Sequence, residues 1–197
     1  MSDRYAVLSH VPLHAGMPCQ TPDGLAPRVH DNAPAISVMT DFRKVTPVTI
    51  EPDLNIDAAL RKMKEAGVRL LLVPDRDDHI IGIISASDIQ GERPVRLGQE
   101  LGIERADIKV HMLMVPLDRV MGMDLTTVLD ACVGHIIAYL GSYERHHTLV
   151  VETDRDSGVQ TIRGLFSISQ ISKMTGADVT HVEYPAHSLA EVQQELG

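Results

Sequence analysis

One short phrase occurs twice in this chain, and it limits the possible folds more than any other feature. Residues 82–89 read GIISASDI, and residues 164–171 read GLFSISQI. Each copy is typical of a short buried strand that runs directly into a helix with Ser at its N-cap. A helix N-terminus presents unpaired N–H groups and partial positive charge, which suits a phosphate. Two such corners indicate a repeated nucleotide-binding unit.

The periodicity around each copy predicts a strand-helix-strand-strand-helix unit. In the first unit we expect strands at 45–50, 68–73 and 79–84, a helix from Asn55 to Gly67, and a second helix that begins at Ser85. In the second unit we expect strands at 120–123, 148–151 and 159–166, one long helix from Leu125 to about Gly141, and a helix over 167–175.

These patterns divide the chain into five segments. They are an irregular Pro-rich arm (1–36), a first domain (37–92), a bridge with a short helix that ends near Gly102 (93–109), a second domain (110–178), and a tail with a short amphipathic helix (179–197).

Composition excludes several classes of function. The net charge is −9 and the chain has no long basic run, which argues against a nucleic-acid partner. No apolar stretch approaches the roughly 20 residues that a membrane span needs, and no signal peptide is evident. With only two cysteines, we expect reduced thiols and a cytoplasmic protein. His10, His14 and Cys19 fit no closed zinc pattern, so we expect no metal site.

Four motifs follow one another in the first copy: Val38-Met39-Thr40, Thr49-Ile50-Glu51-Pro52-Asp53, residues 68–75 (VRLLLVPD) and residues 82–88 (GIISASD). In this order they resemble the cystathionine β-synthase (CBS) domain. The segment from Val110 to Met174 resembles the same family more loosely, and Gln170 stands where the family has Asp. The pair resembles a Bateman module.

The resemblance implies an α+β fold of tandem CBS domains, in which two β-α-β-β-α units pack through their sheets around a pseudo-two-fold axis. It also implies an adenosine-containing ligand of the AMP, ADP or ATP type in the cleft between the units. Modules of this kind commonly form dimers and regulate a partner, and they rarely catalyse a reaction.

Nine residues are candidates for nucleotide binding. Ser85 and Asp88 fit a phosphate and ribose site, although the same pattern is also an ordinary capping box. Gln170 can also complete a capping box, so we expect the first copy to do most of the ribose recognition. The full set is Thr46, Pro47 and Val48 beside an adenine ring, Leu72 where the family often has Pro, Ser85, Asp88, Arg145 as an anion ligand, Ser167 and Gln170.

The leading hypothesis is a regulatory protein that binds an adenosine-containing ligand and acts in trans on an effector protein. A degenerate pair that serves only assembly is the first alternative. An enzyme that uses the cleft is the second, and the absence of a nucleophile elbow, a Walker loop or a His-Glu-x-x-His motif disfavours it. We also expect a homodimer, formed through an apolar stripe of Ile56, Leu60 and Met63 with Leu129, Val133 and Ile136.

Overall fold

The structure is a computed structural model that describes residues 9–17, 19, 28–143 and 146–177. The helix predicted in the tail lies outside the described residues, as does much of the arm.

The first unit follows the predicted sequence of elements. Asn55 caps α1 by accepting a hydrogen bond from the Ala58 N–H at 2.8 Å, and Gly67 ends the helix at a φ of 66°. Val48 and Ile50 bond the backbone of Leu72 in a short parallel bridge, which is all that forms of the strand expected at 45–50. The elements are α1 (Ile56–Ala66), β2 (Leu70–Pro74), β3 (Ile80–Ser85), α2 (Ala86–Gln90) and the bridge helix α3 (Arg93–Leu101), all preceded by β1 (Thr40–Asp41).

The second unit repeats this arrangement with one change. The single helix predicted from Leu125 to about Gly141 is wrong, because the chain is extended at Ala131 and Cys132. Backbone groups there bond the arm instead, since Ala131 accepts from Ala35 and Val133 donates to Ala33. The elements are α4 (Val110–Leu113), β4 (Val115–Pro116), β5 (Gly122–Asp124), α5 (Leu125–Asp130), α6 (Val133–Ser142), β6 (His147–Thr153), β7 (Gln160–Ser167) and α7 (Ile168–Thr175).

Each unit lends a short edge strand to the other unit's sheet. β1 lies at the start of the first unit but pairs with β7, in the sheet ordered β1-β7-β6-β5. β4 lies near the start of the second unit but pairs with β3, in the sheet ordered β2-β3-β4. The exchange ties the two units together, and the ion pair between Arg163 and Asp41 at 3.0 Å fixes β1 to β7.

Three apolar layers hold the molecule together. One helix-sheet core belongs to each unit, and a smaller layer of Leu70, Leu72 and Leu149 lies between the two sheets. The helix-sheet cores absorb most of the expected dimer stripe: Ile56, Met63, Val133 and Ile136 are at most 2% exposed. Of that stripe, Leu129 is the member with an exposed side chain, at 55%. The expected stripe is therefore wrong for Ile56, Met63, Val133 and Ile136, which belong to the core of their own unit.

No helix in the described part of the chain combines the length and the apolar character needed to cross a membrane.

Candidate functional site: a cleft with two cavities

The space between the two sheets contains two cavities, one on each side of the inter-sheet layer. Cavity A encloses about 270 Å³ between the segment Val45–Val48 and the start of α7. Cavity B encloses about 300 Å³ between the segment Arg119–Val120 and the start of α2. These segments precede the first strands of the two units, so the cavities occupy equivalent places in the repeat.

The exchanged edge strands explain why each cavity combines parts of both units. Thr40 and Phe42, at β1, line cavity A beside β7, and Val115, in β4, lines cavity B beside β3. Each cavity therefore takes its strand segment from one unit and its helix start from the other.

The predicted residues divide between the two cavities. Ser85 and Asp88 line cavity B and are not brought together with Thr46, so the first copy does not form a complete site by itself. Arg145 lies outside the described residues. The six predicted residues that line cavity A are Thr46, Pro47, Val48, Leu72, Ser167 and Gln170.

In cavity B the start of α2 is closed by its own side chains. Asp88 Oδ2 accepts from the Ser85 N–H at 2.9 Å and from its hydroxyl at 2.6 Å, while Ser85 Oγ accepts from the Asp88 N–H at 3.3 Å. The other carboxylate oxygen, Oδ1, is paired with Arg93, which also bonds the Leu113 carbonyl at 2.8 Å. Both oxygens that we expected to meet a ribose are therefore engaged within the protein.

In cavity A the start of α7 is open. The Ser167 side chain makes no capping hydrogen bond, and its hydroxyl lies 2.9 Å from the Ser169 hydroxyl. Gln170 does not complete a capping box, since its Nε2 lies 3.5 Å from Met174 Sδ. The Ile168 N–H donates to the His146 carbonyl at 3.0 Å, but the next N–H groups of this eight-residue helix lack the side-chain cap that α2 has. Both Ser hydroxyls can turn toward a ligand.

Both cavities have an exposed arginine at the rim. Arg69 lines cavity A, and its side chain makes no ion pair with any residue that the structure describes. Arg119 lines cavity B and is likewise without an ion pair across the described ranges. A guanidinium is a strong anion ligand, so each rim can receive a phosphate or carboxylate.

His147 lies in the wall that the two cavities share. Burial, and to a smaller extent the neighbouring His146 and Arg69, lower its pKa to about 4, while Asp88 acts in the opposite direction. The imidazole is therefore neutral at physiological pH, and it is partly buried between a cation of cavity A and an anion of cavity B.

A group of possible metal ligands in the described residues lies far from this cleft, in the turn between β2 and β3. One ligand atom each of Asp75, Asp77 and His79 falls within 4.8 Å of the others. Asp75 Oδ1 accepts from the N–H groups of the other two residues at 2.9 Å, so the cluster is explained as the structure of the turn itself.

Sequence reasoning missed Arg69 and Arg119 as parts of the cleft. Each is a charged residue just before a strand segment that enters the inter-sheet layer, at Leu70 and Val120. A lone Arg next to an apolar run is the signal that was available, but it does not say which sheet lies opposite.

Comparison with known proteins supports this description of the fold. The family model of the CBS domain matches residues 35–93, which covers the first unit. No curated protein matches the chain.

Solved structures resemble the chain at low sequence identity. An uncharacterized conserved protein from Pyrococcus horikoshii superimposes with a TM-score of 0.53 at 20% identity, over 80% of this chain and 100% of that one. A CBS-domain-containing protein from Agrobacterium tumefaciens has a TM-score of 0.49 at 17% identity, with 70% and 93% covered. CBSX2, in complex with AMP, has a TM-score of 0.47 at 17% identity, with 72% and 94% covered.

Proposed function

We propose that this chain is a regulatory protein that binds an adenosine-containing ligand in cavity A, because residues 35–93 match the CBS-domain family model and the fold is that of tandem CBS domains. The ligand is of the AMP, ADP or ATP type, and the protein acts in trans on a partner. Cavity A supports this proposal because one small volume combines an apolar slot, a cation that pairs with no described residue, and a helix start without a side-chain cap.

The apolar slot suits a purine ring. Val45, Pro47 and Val48 form one side of it, and Leu72 and Leu165 contribute from the two sheets. Binding sites for small molecules are typically apolar with a few polar groups that fix orientation. A volume of about 270 Å³ is near the lower limit for such sites, roughly 300 Å³. We therefore expect the nucleoside to be enclosed and further phosphates of ADP or ATP to extend outward.

The polar groups of cavity A suit the ribose phosphate. Arg69 supplies a fixed positive charge, and the first turn of α7 supplies N–H donors together with the Ser167 and Ser169 hydroxyls. Among the residues that the structure describes, no Asp or Glu lines cavity A, which favours a phosphate there. Gln170 also lines the cavity, and we propose that its amide bonds the ribose hydroxyls.

Regulation follows from where the ligand would sit. A ligand in cavity A touches the strand segment of one unit and the helix start of the other. Binding would therefore change the relation between the units and the surface that a partner contacts. We propose that the protein works as a homodimer and without catalysis of its own.

Calorimetry with adenosine, AMP, ADP and ATP, with GMP as a comparator, tests the proposal. We expect Arg69→Gln to weaken AMP binding by about tenfold or more, because a hydrogen bond to a charged group contributes about 1.5–3 kcal/mol. Arg61→Gln, an exposed arginine of α1 outside both cavities, is the matched control and should bind as the unaltered protein does.

Two outcomes contradict the proposal in different ways. Equal losses in the two arginine variants would remove cavity A as the site. If no adenine compound binds the unaltered protein at millimolar concentration, the sensor proposal falls. An assembly-only role then takes its place, which the closed start of α2 in cavity B also favours.

A further inference from the structure

The two cavities meet at one position of the repeat, and the two units carry different residues there. Leu70 begins β2 and lies opposite Ser85 in the register of the first sheet. His147 begins β6 and lies opposite Ser167 in the second sheet. Both residues line both cavities, so the shared wall is apolar on one side and carries an imidazole on the other.

The charged groups around His147 come from both cavities. Arg69 approaches from cavity A, and His146 and Asp88 approach from the side of cavity B, where Arg119 also lies. Asp88 is the acid among them, and its carboxylate is already paired with Arg93. The imidazole is therefore surrounded mainly by positive or neutral groups, and with a pKa of about 4 it carries no proton charge at neutral pH.

We propose that His147 makes anion binding in the cleft proton-linked: a phosphate group that enters either cavity is accompanied by protonation of this one imidazole. The inference rests on the proposed function, since it concerns the same ligand. Because a single imidazole serves both cavities, a phosphate in one of them also changes the charge that the other cavity presents to a second ligand.

The physical reason is that a bound phosphate supplies the counter-charge that His147 lacks. Opposite charges within about 4–6 Å favour the protonated form of a histidine and shift its pKa by one to several units. A shift of about two units would bring His147 from about 4 to about 6, and at that pH half a proton is taken up on binding. The same linkage makes binding about twofold tighter at pH 6 than at pH 8.

Calorimetry of AMP binding at pH 6.0 and 8.0, in pairs of buffers with different ionisation enthalpies, measures the protons taken up. Three proteins are compared: the unaltered chain, His147→Gln, and the control His79→Gln, which removes an exposed histidine of the β2–β3 turn. The phosphate of AMP itself titrates near pH 6, but its contribution is common to all three. Neutral adenosine is run in parallel as a ligand without the phosphate.

We expect the unaltered protein and His79→Gln to take up about half a proton more than His147→Gln at pH 6.0, with no difference at pH 8.0. Adenosine should show no such difference. As a second measurement that needs no variant, NMR of the His147 ring in the unaltered protein should show its titration moving up by about two pH units when AMP is added.

The failures are distinguishable. If AMP binds but His147→Gln takes up as many protons as the unaltered protein, the inference is wrong and the proposed function stands. The same follows if the ring titration does not move. If AMP binds at neither pH, both the proposed function and the inference are overturned.

Discussion

The N-termini of α2 and α7 come from the same repeated motif, yet they differ in which polar groups they leave available to a ligand. In α2 the third residue after Ser85 is Asp88, and the pair closes into a capping box that Arg93 covers. In α7 the corresponding residue is Gln170, and no capping box forms. One residue at one position thus separates a helix start that is satisfied by the protein from one that is open to a ligand.

This comparison changes which cavity is the better candidate. The motif with the acid matches the family pattern more closely, so sequence alone favours the first copy. In the structure that acid is committed to intramolecular bonds, and a ligand has to displace Arg93 before Asp88 can accept from a ribose. The second copy has no capping box to displace, which is why our proposal centres on cavity A.

The largest expected effect concerns the exchanged edge strands. Gly164 in β7 and Gly82 in β3 hold equivalent places, each beside the strand lent by the other unit. A Cβ at Gly164 would overlap the Thr40 carbonyl oxygen, which is backbone, whereas at Gly82 it would lie 2.7 Å from the flexible Met114 Sδ and 2.9 Å from the Val115 carbonyl oxygen. We expect Gly164→Ala to lower the free energy of unfolding by about 3 kcal/mol and Gly82→Ala by about 1 kcal/mol.

Urea unfolding of the two alanine variants and the unaltered protein measures this difference. Each variant controls for the other, since the substitution and the strand context are the same. A larger loss in Gly82→Ala would mean that β4 is held more rigidly than β1, and the comparison would reverse.

The second-largest expected effect is a pH dependence of the free energy of unfolding that arises from His147 in the second unit. Because the pKa of His147 falls from 6.5 to about 4 on folding, the unfolded chain binds more protons between those values. Its contribution to stability is therefore complete above pH 6.5 and is lost as the pH falls toward 4. The loss amounts to about 2 kcal/mol by pH 5. Leu70, at the equivalent place in the first unit, does not titrate and adds no pH dependence to the stability.

Urea unfolding at pH 7.5 and 5.0, without ligand, checks this expectation. Carboxylates also titrate toward pH 5, so the quantity of interest is the difference between proteins. The unaltered protein and His79→Gln should lose about 2 kcal/mol more than His147→Gln over this range. An equal loss in all three would show that His147 titrates normally in the folded protein.

The sequence predicted helix boundaries well where a capping residue or a glycine at the boundary itself determines them. Asn55 caps α1, and Gly67, Gly102 and Gly176 end their helices in the left-handed conformation, as the sequence patterns predict. The long helix from Leu125 failed because its break is caused by pairing with residues 33–35, about 100 positions earlier. Periodicity within a window carries no information about such a partner.

The lining of cavity A was largely predictable as a set of residues, but its arrangement was not. Six of the nine predicted residues line that cavity, and their role in binding stays a prediction. Their division between two cavities depends on the exchange of β1 and β4, two strands of two residues each. Such short strands have no periodicity of their own, so their pairing is decided by the packing of the whole molecule.

The smallest expected effect sharpens the comparison between the two helix starts directly. Asp88→Ala removes the capping box of α2 and leaves Arg93 without its carboxylate, and loss of a cap costs about 0.5–2 kcal/mol. We expect the free energy of unfolding to fall by about 1 kcal/mol, because the ion pair with the half-exposed Arg93 adds little. Gln170→Ala removes no cap and should leave the free energy of unfolding unchanged. Urea unfolding measures both variants.

AMP binding to the same two variants shows whether each residue acts in recognition or only in stability. If cavity A is the site, Asp88→Ala binds AMP as the unaltered protein does, whereas Gln170→Ala binds a few-fold more weakly. If instead Asp88→Ala weakens binding tenfold and Gln170→Ala has no effect, then AMP displaces Arg93, the acid of the first copy reads the ribose, and cavity B is the principal site.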